Sequence, residues 1–250
     1  MTSNRFSIKQ SDVFSSAVFL RGEEHHHLSR VARIKPKDRV WLFDEHGISY
    51  LARVEEIRED MTRLFILEKM EKDEPKVKIT LAQALIKSKK MDIVIQKSTE
   101  LGVTTLIPVF TARTIIKIED KIQKKMERWQ KIAREAAKQS QRSFLPTILS
   151  PRPLEKLIEE RHEVKKLFLS ENQGTYLKDI LIRDPGSKNR EEEPPSSVLI
   201  LIGPEGGWAE EEESCLLNHG YEAVSLGRQV LRAETAAICS LALISHFWNS

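Results

Sequence analysis

The chain has 250 residues, 40% of them hydrophobic and 31% charged, which can fill one large core or two modest ones and excludes a disordered chain. No apolar run approaches the ~18 residues of a membrane helix, and the polar start, Met1 to Lys9, lacks a signal peptide's apolar stretch, so a cytoplasmic location without membrane contact is expected. The net charge of +3 is uneven: 12 Lys+Arg stand against 11 Asp+Glu over 1–70, 17 against 9 over 71–150, and 11 against 17 over 151–250.

In chain order, Glu24–Ile34 is read first as a helix, with Leu28, Val31 and Ala32 at helical spacing. Three short strands follow at Arg39–Asp44, Ile48–Ile57 and Met61–Glu68, punctuated by Gly47 and by Glu59–Asp60, a spacing that predicts a small β-barrel or meander. Lys69–Lys76, charged and holding a proline, reads as a linker. The pattern then alternates. Ile79–Ala84 is a strand, Lys90–Leu101 a helix stopped at Gly102, and Thr105–Val109 a strand. Ile122, Met126, Trp129, Ala133, Ala136 and Ser140 form one stripe of a long helix. Leu167–Ser170, Val198–Ile202 and Ala223–Leu226 are short buried strands, Asp184–Ser197 is a surface loop, and Ala233–Trp248 closes the chain as a helix. This alternation predicts an α/β domain with a largely parallel sheet. Domain limits are expected at 1–72 and 73–250.

The basic middle block fits a polyanion partner or a solvated lysine-rich surface equally well. Cys215 and Cys239 match no metal or disulfide spacing and are expected as small buried hydrophobes. His25, His26 and His27 lack the cysteine or carboxylate partners of a zinc site and read as loop or RNA-facing residues.

The segment richest in chemistry is VLILIGPEGGWAEEEE, Val198–Glu213. A strand buried on both faces runs into Gly203, Gly206 and Gly207, which let backbone approach a ligand closely. Four glutamates then open a helix whose positive end favours them, and their charge argues against a phosphate there. No GxxxxGK[ST] occurs, and GPEGGW is not the GxGxxG of a dinucleotide fold. Glu222 falls about where a ribose-binding acid sits in such folds, yet only one strand and one helix remain after the loop. A plain glycine-rich turn fits that loop alone equally well. The second segment, SLGRQVLRAETAA at Ser225–Ala237, again follows a strand, with Arg232 and Glu234 flanking the entry to an apolar helix. Two such exits place two loops at the carboxyl edge of one sheet, where open α/β folds bind ligands. Arg232 and Glu234 as a mere helix-entry pair is the plainer alternative.

GPEGGW at Gly203–Trp208 with LGRQVLRAETA at Leu226–Ala236 resembles the bacterial uracil-N3 methyltransferases of small-subunit ribosomal RNA, members of the SPOUT superfamily. QALIKSKKMDIVIQKSTELGV at Gln83–Val103, RWQKIAREAAKQSQR at Arg128–Arg142 and HHHLSRVARIKPKD at His25–Asp38 extend the resemblance nearly end to end. It implies a PUA-like β-barrel, then a methyltransferase domain with its C-terminus in a trefoil knot, a homodimer, and S-adenosylmethionine bound in the knot. It places Ile202, Gly203, Pro204, Glu205, Gly206, Gly207, Leu226, Gly227, Val230, Leu231 and Thr235 at the cofactor. Arg232 becomes the cation expected to stabilise N3-deprotonated uracil, with Glu234 as a second catalytic group or as the acid that orients Arg232. Glu100 is a further acid that either faces the site or is a solvated helix end.

The substrate implied is 16S ribosomal RNA within the small subunit, with no metal required. Contact is expected from Arg21, Arg30, Arg33, Lys35 and Lys37 near the barrel, and from Arg128, Lys131, Glu135, Lys138 and Arg142 on the long helix. Base flipping fits a target atom on the Watson–Crick edge. Two residues depart from the family pattern: Gln229 stands where arginine is usual, and Ala209 where serine or threonine would cap the next helix, a loss of about 1 kcal/mol. A different base or ribose specificity, or a non-catalytic RNA-binding assembly protein, are the alternatives.

Overall fold

The computed structural model describes residues 4–44, 47–70, 75–114, 122–140, 142, 144–171, 174–182 and 193–249. Half of the linker expected at Lys69–Lys76 and most of the loop expected at Asp184–Ser197 lie outside them, and Lys69 and Met70 belong to a strand rather than to a linker. The chain divides into two units, Met1–Glu74 with Arg134–Leu145, and Pro75–Ala133 with Pro146–Ser250.

The first unit is a curled six-stranded sheet. Its strands are β1 (Arg5–Ser7), β2 (Val13–Phe14), β3 (Ala17–Arg21), β4 (Arg39–Phe43), β5 (Ser49–Ile57) and β6 (Met61–Met70), in the spatial order β1-β4-β5-β6-β3-β2. Only β1–β4 is parallel. Alternate residues point inward: Val18 and Leu20, Val40 and Leu42, Ala52 and Val54, Thr62 and Leu64 are all buried. The β4–β5 turn is fixed by buried Asp44, whose carboxylate accepts from the Ile48 N–H at 2.9 Å and the Tyr50 hydroxyl at 3.1 Å.

The helix expected over Glu24–Ile34 is α1 (Gly22–His26), continued by one π-turn, His27–Val31. Ala32 N–H bonds the His27 carbonyl five residues back. The extra residue per turn rotates Val31 off the apolar face, and it is 62% exposed while Leu28 stays buried. His25 is neither a loop residue nor solvent-facing. It is buried, with Nε2 3.1 Å from the Glu59 carbonyl and Nδ1 2.8 Å from the Thr62 hydroxyl. The carbonyl can only accept, so Nε2 carries the proton and Nδ1 accepts from Thr62. His27 packs edge-on against Phe6, and only His26 is exposed.

The second unit carries β7 (Lys78–Ala84), α2 (Ser88–Glu100), β8 (Thr105–Phe110), α3 (Ile122–Gln139), β9 (Thr147–Ile148), β10 (Arg152–Pro153), α4 (Leu154–Glu160), β11 (Lys165–Leu169), β12 (Thr175–Tyr176), α5 (Leu177–Leu181), β13 (Ser197–Ile202), α6 (Glu210–Asn218), β14 (Glu222–Ser225) and α7 (Ala233–Trp248). The end of α3 groups with the first unit. Every strand pair here is parallel, in the order β10-β8-β7-β13-β11-β14-β12, with β9 also on β8.

Helices cover both faces. Val198, Ile200 and Ile202 of β13 join a layer with α2, α3, α5 and α7, while Leu199 and Leu201 join one with α4 and α6. Gly102, at φ +95°, ends α2 as expected. The expected long-helix stripe is present, with Trp129, Ala133 and Ala136 buried. After α7 the Asn249 side chain bonds both the N–H and the C=O of Val77, tying the helix end to the start of β7. Cys215 and Cys239 are free and half-buried rather than fully buried.

His25→Ala would leave the buried Thr62 hydroxyl without its imidazole partner and open a small cavity. Urea unfolding should show a loss of about 2–4 kcal/mol. A change under 0.5 kcal/mol would show that the histidine does not hold α1 to β6.

Candidate functional site

The carboxyl ends of β7, β8, β11, β13 and β14 converge on one cleft of about 520 Å³. Its floor is Ile202–Trp208 after β13 and Ser225–Ala233 after β14. Lys90 of α2, Arg113 after β8, Leu169–Glu171 after β11 and Glu213 of α6 complete it.

The glycine-rich loop is held from several sides. Pro204–Gly207 is a turn closed by Gly207 N–H to the Pro204 carbonyl, with Gly207 at φ +69°. Arg113 Nη1 donates to the Gly206 carbonyl at 2.8 Å. Lys90 Nζ donates to Glu205 at 2.5 Å and lies 3.6 Å from Glu234, and the hydrogen bond to Glu205 raises the lysine pKa. Trp208 is buried, donates from its indole to the Leu169 carbonyl at 2.7 Å, and meets Phe168 edge-on. A Cβ on Gly203 would stand 3.1 Å from the Trp208 ring. Only glycine lets the loop pass beneath that indole without displacing it.

Ala209 is indeed the N-cap residue of α6 and has no side-chain cap. Buried Glu212 supplies the other half of the capping arrangement, accepting from Ala209 N–H at 3.0 Å and, with its second oxygen, from Ala112 N–H at 2.8 Å. Glu213 accepts from Ser170 Oγ at 2.9 Å.

In the second loop Gly227 has φ +140°, and the Ser225 hydroxyl bonds both its N–H and its C=O. Arg232 is the N-cap residue of α7, where its carbonyl accepts from Ala236 N–H at 2.8 Å; it is exposed and lines the cleft, and its guanidinium makes no hydrogen bond or ion pair among the described residues. Glu234 lies behind it and does not line the cleft. Its partner is Lys90 and not Arg232, and its second oxygen is buried without a hydrogen-bond partner among the described residues.

Of the residues assigned to the cofactor from sequence, Ile202–Gly207, Leu226, Gly227, Val230 and Leu231 line the cleft, as does Gln229. Thr235 is exposed on α7 outside it. Glu222 starts β14 at the opposite end of the strand and pairs with Lys165, so it is no ribose ligand in this cleft. Glu100 is paired with Lys97 through both oxygens at 2.9 Å. Sequence reasoning missed Lys90, Arg113, Leu169, Ser170 and Glu213. Ser170 and Arg113 follow strands, so the carboxyl-edge rule could have found them.

In the first unit Arg21, Arg30, Arg33 and Lys35 are exposed, with Arg33 at φ +52°. Lys138 is mostly buried between Glu24 and Glu135. Arg142 lies 4.1 Å over the Phe144 ring, and burial lowers its pKa to about 10. In the second unit Arg128 grips Asp92 with two nitrogens, the shortest contact 2.8 Å, while staying 62% exposed. No group of three metal-ligating side chains occurs among the described residues, and no helix of theirs is long and apolar enough to cross a membrane.

Residues 72–245 match a model described as an RNA methyltransferase domain, and 20–60 one described as an RNA methyltransferase PUA domain. A Bacillus subtilis protein named ribosomal RNA small subunit methyltransferase E is 32% identical over 96% of this chain and 92% of its own. The crystal structure of the Neisseria gonorrhoeae protein of that name, bound to S-adenosyl methionine, superposes with a TM-score of 0.86 at 30% identity over 98% of both chains. A Legionella pneumophila methyltransferase structure holding the same cofactor gives 0.85 at 31% identity, again over 98% of each chain.

Gly203→Ala should destabilise the chain by about 1–3 kcal/mol through overpacking against Trp208. Trp208→Ala removes the ring that the new Cβ would meet, so the two changes should be less than additive in a urea-unfolding cycle. Strict additivity would mean that the indole does not set the glycine requirement.

Proposed function

The chain belongs to the RNA methyltransferase family that includes ribosomal RNA small subunit methyltransferase E, and from that premise we infer that it methylates N3 of one uridine in 16S ribosomal RNA, with S-adenosylmethionine as methyl donor. The observation that carries this reading is the cleft between the two glycine loops, at the sheet edge of a fold whose relatives hold that cofactor.

The residues present fit the group. Leu169, Ile202, Leu226, Leu231 and Ala236 offer apolar walls for a purine ring. Backbone N–H and C=O groups of the glycine loops suit its edge, and the carboxylates of Glu205 and Glu213 suit a ligand bearing positive charge. The cofactor supplies a methyl group on a sulfonium, open to in-line displacement.

The chain's own task is to align acceptor and donor and to make N3 nucleophilic. N3 would pass its proton to solvent water as the N–C bond forms, and the electrons of the S–C bond would return to sulfur, leaving a neutral thioether. Arg232, without an ionic partner and at the cleft, stabilises the negative charge that develops on the uracil. Glu234 acts through Lys90, which holds Glu205 and so the cofactor loop, a positioning role. In this reading Arg21, Arg30, Arg33 and Lys35 contact RNA phosphates, and the outer face of Arg128 and the Arg142 region add to them.

The trefoil knot and the homodimer belong to the same reading. β13 enters between β7 and β11, and β14 then pairs on the far side of β11. α7 keeps Phe247 44% exposed, a foothold for a twofold partner. The substrate is the assembled small subunit, and the place of action the cytoplasm.

Mass spectrometry of nucleosides from ribosomal RNA treated with protein and cofactor should show 3-methyluridine. A 2′-O-methyl or methylguanosine product would move the specificity, and no product with intact cofactor binding would make this an RNA-binding protein. Arg232→Ala should lower the single-turnover rate by roughly 10²–10³-fold with little change in cofactor affinity, and Arg232→Lys should recover part of it. Loss of cofactor binding in step with the rate would make Arg232 a binding residue. Sedimentation at micromolar concentration should show a dimer, and a fully active monomer would refute the twofold site.

A further inference from the structure

The outward face of the first unit's sheet is built unlike an ordinary solvated one. The registers Phe14↔Ala17, Ala17↔Phe65, Arg53↔Phe65 and Arg39↔Arg53 align Phe14, Ala17, Phe65, Arg53 and Arg39 in one row across β2, β3, β6, β5 and β4. Phe14 is 61% exposed and Phe65 36%. Neighbouring strands lie about 4.8 Å apart, so the two phenylalanines stand roughly 10 Å apart across the small Ala17. Phe19 meets Phe14 edge-on at 5.8 Å, and the Arg53 guanidinium lies 5.9 Å from the Phe65 ring centre.

Packing of this unit does not account for the row. Its core is the other face, where Val18, Leu64, Val54 and Val40 are buried. Arg39 and Arg53 stand directly opposite each other, a like-charge pairing that costs stability unless an anion screens it. The Arg53 side chain has only a 3.8 Å ionic contact to Glu55, which is closer to Arg63, and the Arg39 side chain has no hydrogen bond or ion pair among the described residues. The row itself contains no acid. Exposed aromatic faces interleaved with arginines match one occupant best. Unpaired nucleotides stack on rings whatever their sequence, and their phosphates meet the cations. A duplex hides its base faces and gains only from the charges.

We propose that this sheet face is a binding platform for single-stranded RNA, with Phe14 and Phe65 as the stacking rings and Arg39 and Arg53 as the phosphate contacts. The proposal rests on the reading of the chain as an RNA-modifying enzyme and adds where and in what form the RNA is held beyond the cleft. It calls for an unpaired stretch in the substrate, distinct from the nucleotide that is methylated.

The test uses the full chain and a fluorescent single-stranded RNA of about ten nucleotides, with the same sequence annealed into a duplex as control. Anisotropy should give tighter binding of the single strand. Phe14→Leu and Phe65→Leu keep apolar bulk but remove the ring, and each should weaken single-strand binding by roughly tenfold, with duplex binding unchanged. Arg39→Gln and Arg53→Gln should each make the slope of log affinity against log salt shallower by about one. Phe14→Trp should retain affinity, and its added indole fluorescence should be quenched when RNA binds.

Wild-type affinity in both leucine variants, with unfolding curves unchanged, would overturn the proposal. So would leucine variants that dissociate a dimer while still binding RNA normally, because the face would then be a contact between copies. If the leucine variants lose the single strand but the wild-type protein methylates no ribosomal RNA, the proposed function fails and the platform stands. If methylation proceeds and the variants bind as wild type, the platform fails alone.

Discussion

Strand β13 is the constraint on which the site depends. It pairs with β7 on one edge, Ser197↔Lys78 through Ile202↔Gln83, and with β11 on the other, Lys165↔Val198 through Phe168↔Leu201. Its five residues from Val198 to Ile202 are buried, alternating between the two helical layers. Each such side chain contributes about 1.5–3 kcal/mol by burial. A slip of one residue would send every one of them to the wrong layer. The point at which the chain leaves the sheet is therefore fixed at Ile202, and the backbone of Gly203 starts the cleft in one place.

What happens after Gly203 is settled by side chains from elsewhere. A glycine-rich loop has no bulk with which to hold itself, and its freedom is entropically costly to fix. Here Arg113 takes the Gly206 carbonyl, Lys90 takes the Glu205 carboxylate, and Trp208 anchors to the Leu169 carbonyl. These groups leave the exits of β8, β7 and β11, the strands that neighbour β13 or lie one beyond it. The loop is thus ordered by the same strand order that creates the cleft. Substitutions at Lys90 or Arg113 act on it from a distance of more than 90 residues in sequence.

That non-local order is also where the sequence runs out. Strands with a clear apolar run, such as Val198–Ile202, and helices with a clear stripe, such as the one through Trp129, were legible to within two or three residues. The two- and three-residue strands β1, β2, β9, β10 and β12 and the short helices α4 and α5 carry no period to read. The π-turn at His27–Val31 was hidden because an inserted residue breaks the helical spacing without any sequence mark. At the cleft, the two glycine loops were visible, since each follows a strand. Lys90 looked like one of several lysines in KSKK, and nothing local says that β7 borders β13. Glu234 was set beside Arg232 by sequence adjacency, whereas the helix entry turns them apart and gives Glu234 to Lys90. His25 looked like one of three equivalent histidines until Thr62 and Glu59, more than 30 residues on, made it a core group.

The glutamate run at the start of α6 shows how a local signal can be right for an incomplete reason. In sequence, four acids at a helix N-terminus exclude phosphate by charge alone. In the fold, Glu212 turns back onto the Ala209 N–H and reaches across to the Ala112 N–H, so a helix-start donor that an oxyanion would need is already taken from within. Glu213 is committed to Ser170 on the rim, and Glu210 and Glu211 face solvent. The hydroxyl cap missing at Ala209 is therefore a weaker defect than the residue type implies, because the acid three positions on satisfies the cap backbone. It also means that recognition in this cleft cannot run through the helix dipole as in a nucleotide-phosphate site. It must run through the open backbone of Gly203–Gly207 and Leu226–Leu231, which reads hydrogen-bonding edges and shape, and through rim carboxylates that favour a ligand carrying positive charge.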